Sequence, residues 1–428
     1  MLSGDKVKVI TSKEESVGIL MPNKETDSVI IKLDNGYNIG IDKTKIQKIE
    51  KIEKTKDMPV KKSEIKLDKS LPTISILHTG GTIASKVDYR TGGVVARFEP
   101  TELISMFPEL AKIANIRSKL IANMFSEDMR FSHYKLMIQA IVEEVNKGTD
   151  GIILTHGTDT MTYTSAALAF ALKDLQLPVI LVGAQRSSDR GSSDAALNLI
   201  CAAEFITKTD FAGVAICMHE NMDDKTSAIM PACKTRKLHS SRRDAFKVVN
   251  DEMIARIDYE TKKIDFINKD YLKKDKKRKL VVKDKFEEKV SILRCHPNMF
   301  PEQFEFFKGY KGLIIEGTGL GQAPVGTPND LCKIHKKNLE AINNLVKSGV
   351  TIIMTSQTIF GRVQMHVYSN AIDLVNIGVI PGEDMLTETS FIKLAWLLGN
   401  FQDKEEIKEL IQTDICGEIN KRSGTEFL

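Results

Sequence analysis

The sequence predicts an α/β protein in which two parallel-sheet α/β domains follow a small all-β, barrel-like domain. From residue 71 onward, buried-strand runs alternate with glycine-containing polar loops and helical segments, which is typical of βαβ units with right-handed crossovers. At 428 residues and 42% hydrophobic content, the chain is long enough for several domains with sizeable cores. The predicted domains are residues 1–55 (barrel-like), 72–270 (larger α/β, carrying the candidate site) and 290–428 (smaller α/β), joined by linkers at 56–71 and 271–289.

The amino-terminal domain is predicted from short alternating runs at residues 7–10, 17–20, 29–33 and 37–41. Asp34-Asn35-Gly36 separates the last two runs and predicts a hairpin, because a type I′ turn needs positive φ at both central positions. Closure into a barrel would cover the strand edges. The lysine- and glutamate-rich stretch that follows contains Pro59 and predicts a linker.

The composition excludes several classes of protein. A formal net charge of +4 is small for this length and does not support a general nucleic-acid-binding surface. The six cysteines include no C-x-x-C pair, which predicts reduced thiols rather than a disulfide framework or a zinc site. The first residues contain no apolar segment and no run of about 18 apolar residues occurs, so we expect a cytoplasmic protein without a membrane span.

The larger α/β domain carries polar loops directly after its predicted strands. Strand 74–77 leads into His78-Thr79-Gly80-Gly81-Thr82-Ile83-Ala84, strand 151–155 into His156-Gly157-Thr158-Asp159-Thr160, and strand 178–182 into Gly183-Ala184-Gln185-Arg186. Parallel sheets bind their ligands at the carboxyl ends of the strands. A threonine hydroxyl at such an end is either a nucleophile or a helix N-cap, and the first motif alone leaves both open.

The smaller α/β domain is predicted from strands at 290–293, 312–315 and 350–354, a helix over about 330–347 and two helices over about 388–412. Its loop Gly317-x-Gly319-x-Gly321 lacks the full dinucleotide-binding spacing, because Gln322 holds the sixth position and Pro324 interrupts a helix start. The sequence contains neither a P-loop motif nor a metal-binding spacing.

Four side chains of the larger domain form a chemically coherent group if their strand ends converge. Thr82 supplies a hydroxyl beside a glycine turn, Thr158 and Asp159 adjoin at another strand end, and Lys234 supplies an amine from a later loop. A hydroxyl nucleophile needs a neighbouring base and a prepared site for the developing oxyanion. A lysine is a base only when its amine is neutral, and a contacting carboxylate favours the protonated amine instead. We therefore expect Asp159 mainly to orient the amine. In the competing interpretation Thr158 caps a helix and Lys234 is solvated.

Two of these loops resemble the signature motifs of a known family. Thr79–Ala84 and His156–Thr160 are similar in sequence, order and spacing to the motifs of the bacterial-type L-asparaginase/glutaminase family, and the resemblance covers about residues 72–428. It implies two asparaginase-like domains and amide hydrolysis through an acyl-enzyme. By position, the nucleophile is Thr82, its possible activator is Tyr89, and the second triad is Thr158, Asp159 and Lys234.

The same resemblance implies how the substrate is held. Ser126 and Asp159 resemble the groups that bind its α-carboxylate and α-amino ends, and the Gly81 and Thr158 backbone amides resemble oxyanion donors. Glu127 stands where many asparaginases carry glutamine, so it would pair with the substrate ammonium.

The amino-terminal domain and residues 234–246 resemble a narrower family, the D subunits of archaeal-type glutamyl-tRNA(Gln) amidotransferases. This resemblance implies a glutaminase that supplies ammonia to an E subunit, in a heterodimer that pairs into a heterotetramer. The partner would use ATP and Mg²⁺ to convert Glu-tRNA(Gln) into Gln-tRNA(Gln), and this chain would hold no cofactor or metal. The lysine-rich residues 273–279 are then either a solvated interdomain linker or a basic patch facing tRNA.

Two other functions remain open on the sequence. A free-standing cytosolic L-asparaginase would need neither a partner nor tRNA, and the β domain before Leu71 argues against it. A non-catalytic scaffold would keep the fold without the chemistry, and the complete set of Thr82, Thr158, Asp159 and Lys234 argues against that.

Overall fold

The structure is a computed structural model that describes residues 5–21, 27–33, 38–52, 68–81, 85–87, 94–96, 107, 109–186 and 193–422. Within these ranges the chain forms a small antiparallel sheet followed by two α/β units, as predicted. None of the described helices is long and apolar enough to cross a membrane.

The amino-terminal unit is a five-stranded antiparallel sheet with the order β4-β3-β2-β1-β5. Val7, Val9 and Ile31 are fully buried in its core because alternate residues of a strand point to one face. The turn predicted at residues 34–36 lies outside the described residues. The fifth strand was not predicted from the sequence. The strands are β1 Lys6–Thr11, β2 Glu15–Leu20, β3 Ser28–Lys32, β4 Asn38–Asp42 and β5 Ile46–Lys51, with a 3-10 turn at Lys43–Lys45.

The first α/β unit is built on an eight-stranded sheet with the order β18-β17-β14-β13-β12-β10-β6-β9. The five strands from β13 to β9 pair in parallel, whereas β14, β17 and β18 are added through antiparallel pairings. These strands are β6 Thr73–Gly80, β9 Asn115–Met124, β10 Gly151–Thr155, β12 Pro178–Val182, β13 Gly213–His219, β14 Thr226–Pro231, β17 Ala255–Asp258 and β18 Ile264–Phe266.

Helices cover both faces of this sheet, so its central strands are apolar throughout. Ile152, Ile153 and Leu154 are fully buried. The described helices are α1 Leu110–Ile113, α2 Phe131–Asn146, α3 Met161–Ala171 and α4 Ala195–Lys208, with a 3-10 turn at Ser126–Asp128. Short paired strands are β7 Ser85–Val87 with β8 Val94–Ala96, β11 Leu172–Lys173 with β19 Val281–Val282, and β15 Thr235–Lys237 with β16 Phe246–Val248.

The second α/β unit contains a four-stranded, entirely parallel sheet with the order β20-β21-β22-β23. Its elements are β20 Val290–Arg294, α5 Pro301–Glu305, β21 Gly312–Gly317, a 3-10 turn at Asp330–Cys332, α6 Ile334–Lys347, β22 Thr351–Ser356, α7 Ser369–Asn376, β23 Ile380–Pro381, α8 Thr387–Asn400 and α9 Lys404–Ile411.

One hydrophobic cluster contains residues of both α/β units. Helix α8 packs against α3, and the rings of Phe170 and Trp396 stack with their centroids 5.5 Å apart. The lysine-rich connection between the units lies on the first unit's surface, where Lys273 pairs with Asp210 at 3.2 Å. The Lys273 side chain remains 69% exposed, which favours a solvated, surface-bound connection.

Candidate active site

The glycine pair at the end of β6 makes two close approaches: Gly80 lies against Met124 of β9, and Gly81 lies against the 156–160 loop. Gly80 and Gly81 have φ values of 96° and 76°, a conformation that side chains disfavour. A Cβ on Gly81 would lie 2.4 Å from the Gly157 nitrogen. Gly81 therefore lies against the loop that carries Thr158. Thr82 and Tyr89 lie outside the described residues.

The sequence predicts that the Gly81 backbone amide is an oxyanion donor, and its hydrogen bond in the structure contradicts this prediction. Its N–H donates to the Met124 carbonyl oxygen at 3.1 Å and so closes the pairing between β6 and β9. Because this donor is already satisfied, Gly81 is not an oxyanion donor in this structure. What Gly81 supplies is the close approach between the two loops.

Lys237, and not Lys234, contacts Thr158 and Asp159. The Lys237 amine donates to the Thr158 hydroxyl at 2.8 Å and to Asp159 Oδ1 at 2.7 Å. Thr158 is only 6% exposed, whereas the Asp159 side chain is 64% exposed. Strand β15 and its partner β16 carry Lys237 to this position. The hydroxyl, amine and carboxylate group predicted from the sequence therefore exists, with a different lysine.

Lys234 points away from the site, so the prediction that it contacts Asp159 is wrong. Its amine is completely buried and donates to Asp384 Oδ2 at 2.7 Å. Lys234 lies in the turn before β15, whereas Lys237 ends that strand, and their amines contact different units. The apolar neighbours Ala232 and Cys233, which the structure buries, were a local signal that Lys234 belongs to the interior, but they do not identify its partner.

Thr79 and two buried histidines fix the strand ends beneath the loops. Thr79 Oγ1 donates to the Thr155 carbonyl at 2.8 Å, which is a structural role. His78 Nδ1 lies 3.1 Å from Thr155 Oγ1, and His156 Nε2 lies 2.8 Å from Thr164 Oγ1. Burial lowers the pKa of each histidine to about 4, so both rings are neutral at pH 7.

Ser126 adjoins the site from the 3-10 turn after β9. A Cβ on Gly157 would lie 2.7 Å from its Oγ, and Thr160 Oγ1 donates to its carbonyl oxygen at 2.7 Å. Glu127 occupies the exposed side of the same turn. Both residues are therefore near enough to the 156–160 loop for the predicted substrate-binding roles, which stay predictions.

A cavity of about 540 Å³ lies beside this loop, at the seam between the α/β units. Thr160, Phe131, Tyr163 and Phe391 line it, whereas Thr158 and Lys237 do not. Among the described residues, no cluster of three or more His, Cys, Asp or Glu side chains has the arrangement of a metal site.

Three family models match successive parts of the chain. They are the GatD N-terminal domain at residues 1–52, the amino-terminal asparaginase domain at residues 73–271, and the glutaminase/asparaginase carboxyl-terminal domain at residues 289–411. The matched ranges coincide with the three structural units.

Relatives match along almost the whole chain. The D subunit of the glutamyl-tRNA(Gln) amidotransferase of Pyrococcus furiosus is 47% identical and aligns with 97% of this chain and 94% of its own length. The chain belongs to the family of glutamyl-tRNA(Gln) amidotransferase D subunits. A second member of this family, from Methanococcus maripaludis, is 44% identical over 99% of both chains. The chain is thus an amidotransferase subunit with amidohydrolase activity, as predicted.

Solved structures place this member of the D-subunit family on the asparaginase fold. A thermostable L-asparaginase from Thermococcus kodakarensis superposes with a TM-score of 0.71 at 28% identity, covering 82% of this chain and 100% of its own. L-asparaginase I from Vibrio cholerae gives a TM-score of 0.70 at 25% identity, covering 82% of this chain and 99% of its own. The predicted fold class is confirmed.

Proposed function

We propose that this chain hydrolyses glutamine and supplies the ammonia to a partner subunit. The partner, an E subunit, would use ATP and Mg²⁺ to convert misacylated Glu-tRNA(Gln) into Gln-tRNA(Gln). The observation that carries the proposal is the contact of the Lys237 amine with both Thr158 and Asp159, beside the glycine turn that precedes Thr82. Family membership supports the tRNA-dependent part, because the relatives are named as subunits of that enzyme.

The proposed reaction proceeds in two steps. The Thr82 hydroxyl attacks the side-chain amide carbon of glutamine, a C–O bond forms, the C–N bond breaks and ammonia leaves. Water then hydrolyses the ester, releasing glutamate and free Thr82. In each step a proton moves from the attacking hydroxyl or water to a base and then to the leaving group.

The described residues support specific roles in these steps. Lys237 accepts the proton through Thr158, and Asp159 orients the amine as the third member of a triad does. Ser126 and Asp159 bind the α-substituents of glutamine, and Glu127 pairs with its ammonium group. The Thr158 backbone amide stays the proposed oxyanion donor after the correction at Gly81.

The test compares nitrogen sources in the assembled complex. Thr82→Ala should abolish glutamine-dependent amidation of Glu-tRNA(Gln), while free ammonia still supports it. Thr261→Ala is the matched control, since it removes a threonine hydroxyl from an exposed turn between β17 and β18. Loss of both activities in an assembled Thr82→Ala complex would contradict a role confined to ammonia supply.

A second function, a free-standing asparaginase, is favoured by the full-length superposition of L-asparaginases on this fold. The amino-terminal domain argues against it, because the family model that matches residues 1–52 is a GatD domain. Turnover of asparagine and of glutamine, with and without tRNA and the co-purified partner, separates the two. We expect this chain to prefer glutamine over asparagine. We also expect it to form a cytoplasmic heterodimer with the E subunit, and two such heterodimers to form a heterotetramer.

A further inference from the structure

The strand that carries Lys237 and the turn before it are attached to the second α/β unit. Three contacts join residues 233–236 to residues 384–389, which are the end of the connection after β23 and the first turn of α8. Lys234 Nζ donates to Asp384 Oδ2 at 2.7 Å, Thr389 Oγ1 donates to the Cys233 carbonyl at 2.8 Å, and Arg236 Nε lies 2.9 Å from Glu388 Oε1.

The Lys234–Asp384 pair is the innermost of these contacts. Both side chains are 0% exposed, and the Lys234 amine donates also to the Asp384 carbonyl oxygen at 3.1 Å. The second carboxylate oxygen of Asp384 accepts the N–H of Asn420 at 3.0 Å. Because a buried charge is stable only with a partner, this arrangement permits little displacement of either residue.

Lys234 is also fixed along the strand. Its carbonyl oxygen accepts the N–H of Val249 at 2.7 Å, next to the pairing of β15 with β16. Lys234 lies in the turn immediately before β15, and Lys237 is the last residue of that three-residue strand. A shift of Lys234 would therefore move the Lys237 amine relative to Thr158 and Asp159.

We propose that Lys234 and Asp384 are positioning residues that set the place of the Lys237 amine at the site. The second α/β unit thus determines where the Lys237 amine lies relative to Thr158 and Asp159, although it does not contact that amine through this pair. This inference rests on the proposed function for its kinetic consequence, but the position of Lys237 can be measured without turnover.

The test combines amine labelling with kinetics. Trace acetylation with acetic anhydride, followed by peptide mass spectrometry, gives the reactivity of Lys237 relative to the exposed Lys408 as a function of pH. In Lys234→Met/Asp384→Leu, which removes both buried charges, we expect Lys237 to label several-fold faster. We expect kcat for glutamine to fall by about 100-fold, the scale of a misplaced catalytic group, with a much smaller change in KM.

The matched control is Glu144→Leu/Lys147→Met. In this pair the Glu144 carboxylate is 5% exposed, and it lies at the end of α2 beside Ser75 at the start of β6, at the opposite end of that strand from the site. It should leave Lys237 labelling and kcat unchanged. If the Lys234→Met/Asp384→Leu protein does not fold, Lys234→Met/Asp384→Asn, which keeps the shape of residue 384 and still leaves neither buried charge, receives the same measurements.

Wild-type labelling and kcat in a folded Lys234–Asp384 variant would overturn the inference, as would an equal change in the control. A wild-type complex that releases no ammonia from glutamine would instead refute the proposed function. The labelling would then still decide whether the pair positions Lys237.

Discussion

Both main sheets carry polar groups at the carboxyl ends of their parallel strands, but the two groups differ in their exposure to solvent. At the first edge, Thr158, Asp159 and Lys237 contact one another and Asp159 is largely exposed. At the second edge, Thr387 Oγ1 donates to Glu316 Oε1 at 3.2 Å and lies 2.9 Å from Thr355 Oγ1. These three side chains are buried, so they satisfy one another. The carboxyl edge of a sheet therefore locates a site only where its polar groups remain accessible.

The largest expected difference between the edges is in activity. Thr158→Val should lower kcat for glutamine by roughly 10²–10⁴-fold, because it removes the hydroxyl between the amine and the reacting groups. Thr355→Val removes the corresponding hydroxyl at the second edge and should change kcat by less than about threefold, at a cost of about 1 kcal/mol in unfolding free energy. Steady-state ammonia release compares the two. Equal losses in both variants would remove the distinction between the edges.

A second difference concerns stability. Lys393→Met leaves Glu418 as an unpaired buried carboxylate and should lower the free energy of unfolding by about 3–5 kcal/mol. Lys393→Met/Glu418→Leu should recover most of that loss, since neither charge remains. Urea unfolding measures both variants. A single variant as stable as the wild type would show that this pair does not anchor the second unit.

Two buried histidines near the first edge, His78 and His156, should make stability depend on pH. Burial lowers the pKa of His78 and of His156 to about 4, below the 6.5 of an unfolded histidine. Above pH 6.5 both states are neutral and the effect is absent, whereas between pH 6.5 and 4 only the unfolded chain gains the proton. The unfolding free energy should therefore decrease as the pH is lowered from 6.5 to 4, by roughly 3 kcal/mol per histidine at most.

Chemical unfolding of the wild type and of His78→Gln/His156→Gln between pH 7 and 4 isolates this contribution. The variant should lose less stability than the wild type over the window. Parallel curves would mean that the two histidines do not titrate as their burial requires.

The smallest contrast concerns the glycine turn. Gly81 and Gly148 both have φ of 76°, but nothing lies within 4 Å of a Cβ on Gly148. Gly148→Ala should cost about 1–2 kcal/mol from backbone strain alone. Gly81→Ala should cost about 1–3 kcal/mol more, because its Cβ meets the Gly157 backbone. Thermal or urea unfolding of the two variants gives the difference, and equal costs would contradict the close approach of the loops.

Much of the fold was predictable because buried parallel strands are continuous apolar runs. Strands β10 and β12 begin and end where their sequences predict, at residues 151–155 and 178–182. Strand β5 was missed because Ile46–Lys51 carries four polar residues in six and pairs only at the edge of its sheet.

The site was predictable in its chemistry but not in its choice of lysine. Adjacent strand ends bring Thr158 and Asp159 to the glycine turn, and this follows from the order of strands and loops. The choice between Lys234, in the turn before β15, and Lys237, at the end of that strand, depends on which amine meets the second unit. That choice is set by Asp384, which lies 150 residues further along the chain. No local pattern reveals such a partner.

The central claim is that glutamine is hydrolysed at the first edge through an ester on Thr82. Rapid acid quenching of the complex during glutamine turnover, followed by peptide mass spectrometry, tests it directly. The account predicts a γ-glutamyl ester on Thr82 in the wild type and none in Thr82→Ala. An ester on a different residue, or ammonia release from Thr82→Ala at the wild-type rate, would contradict it.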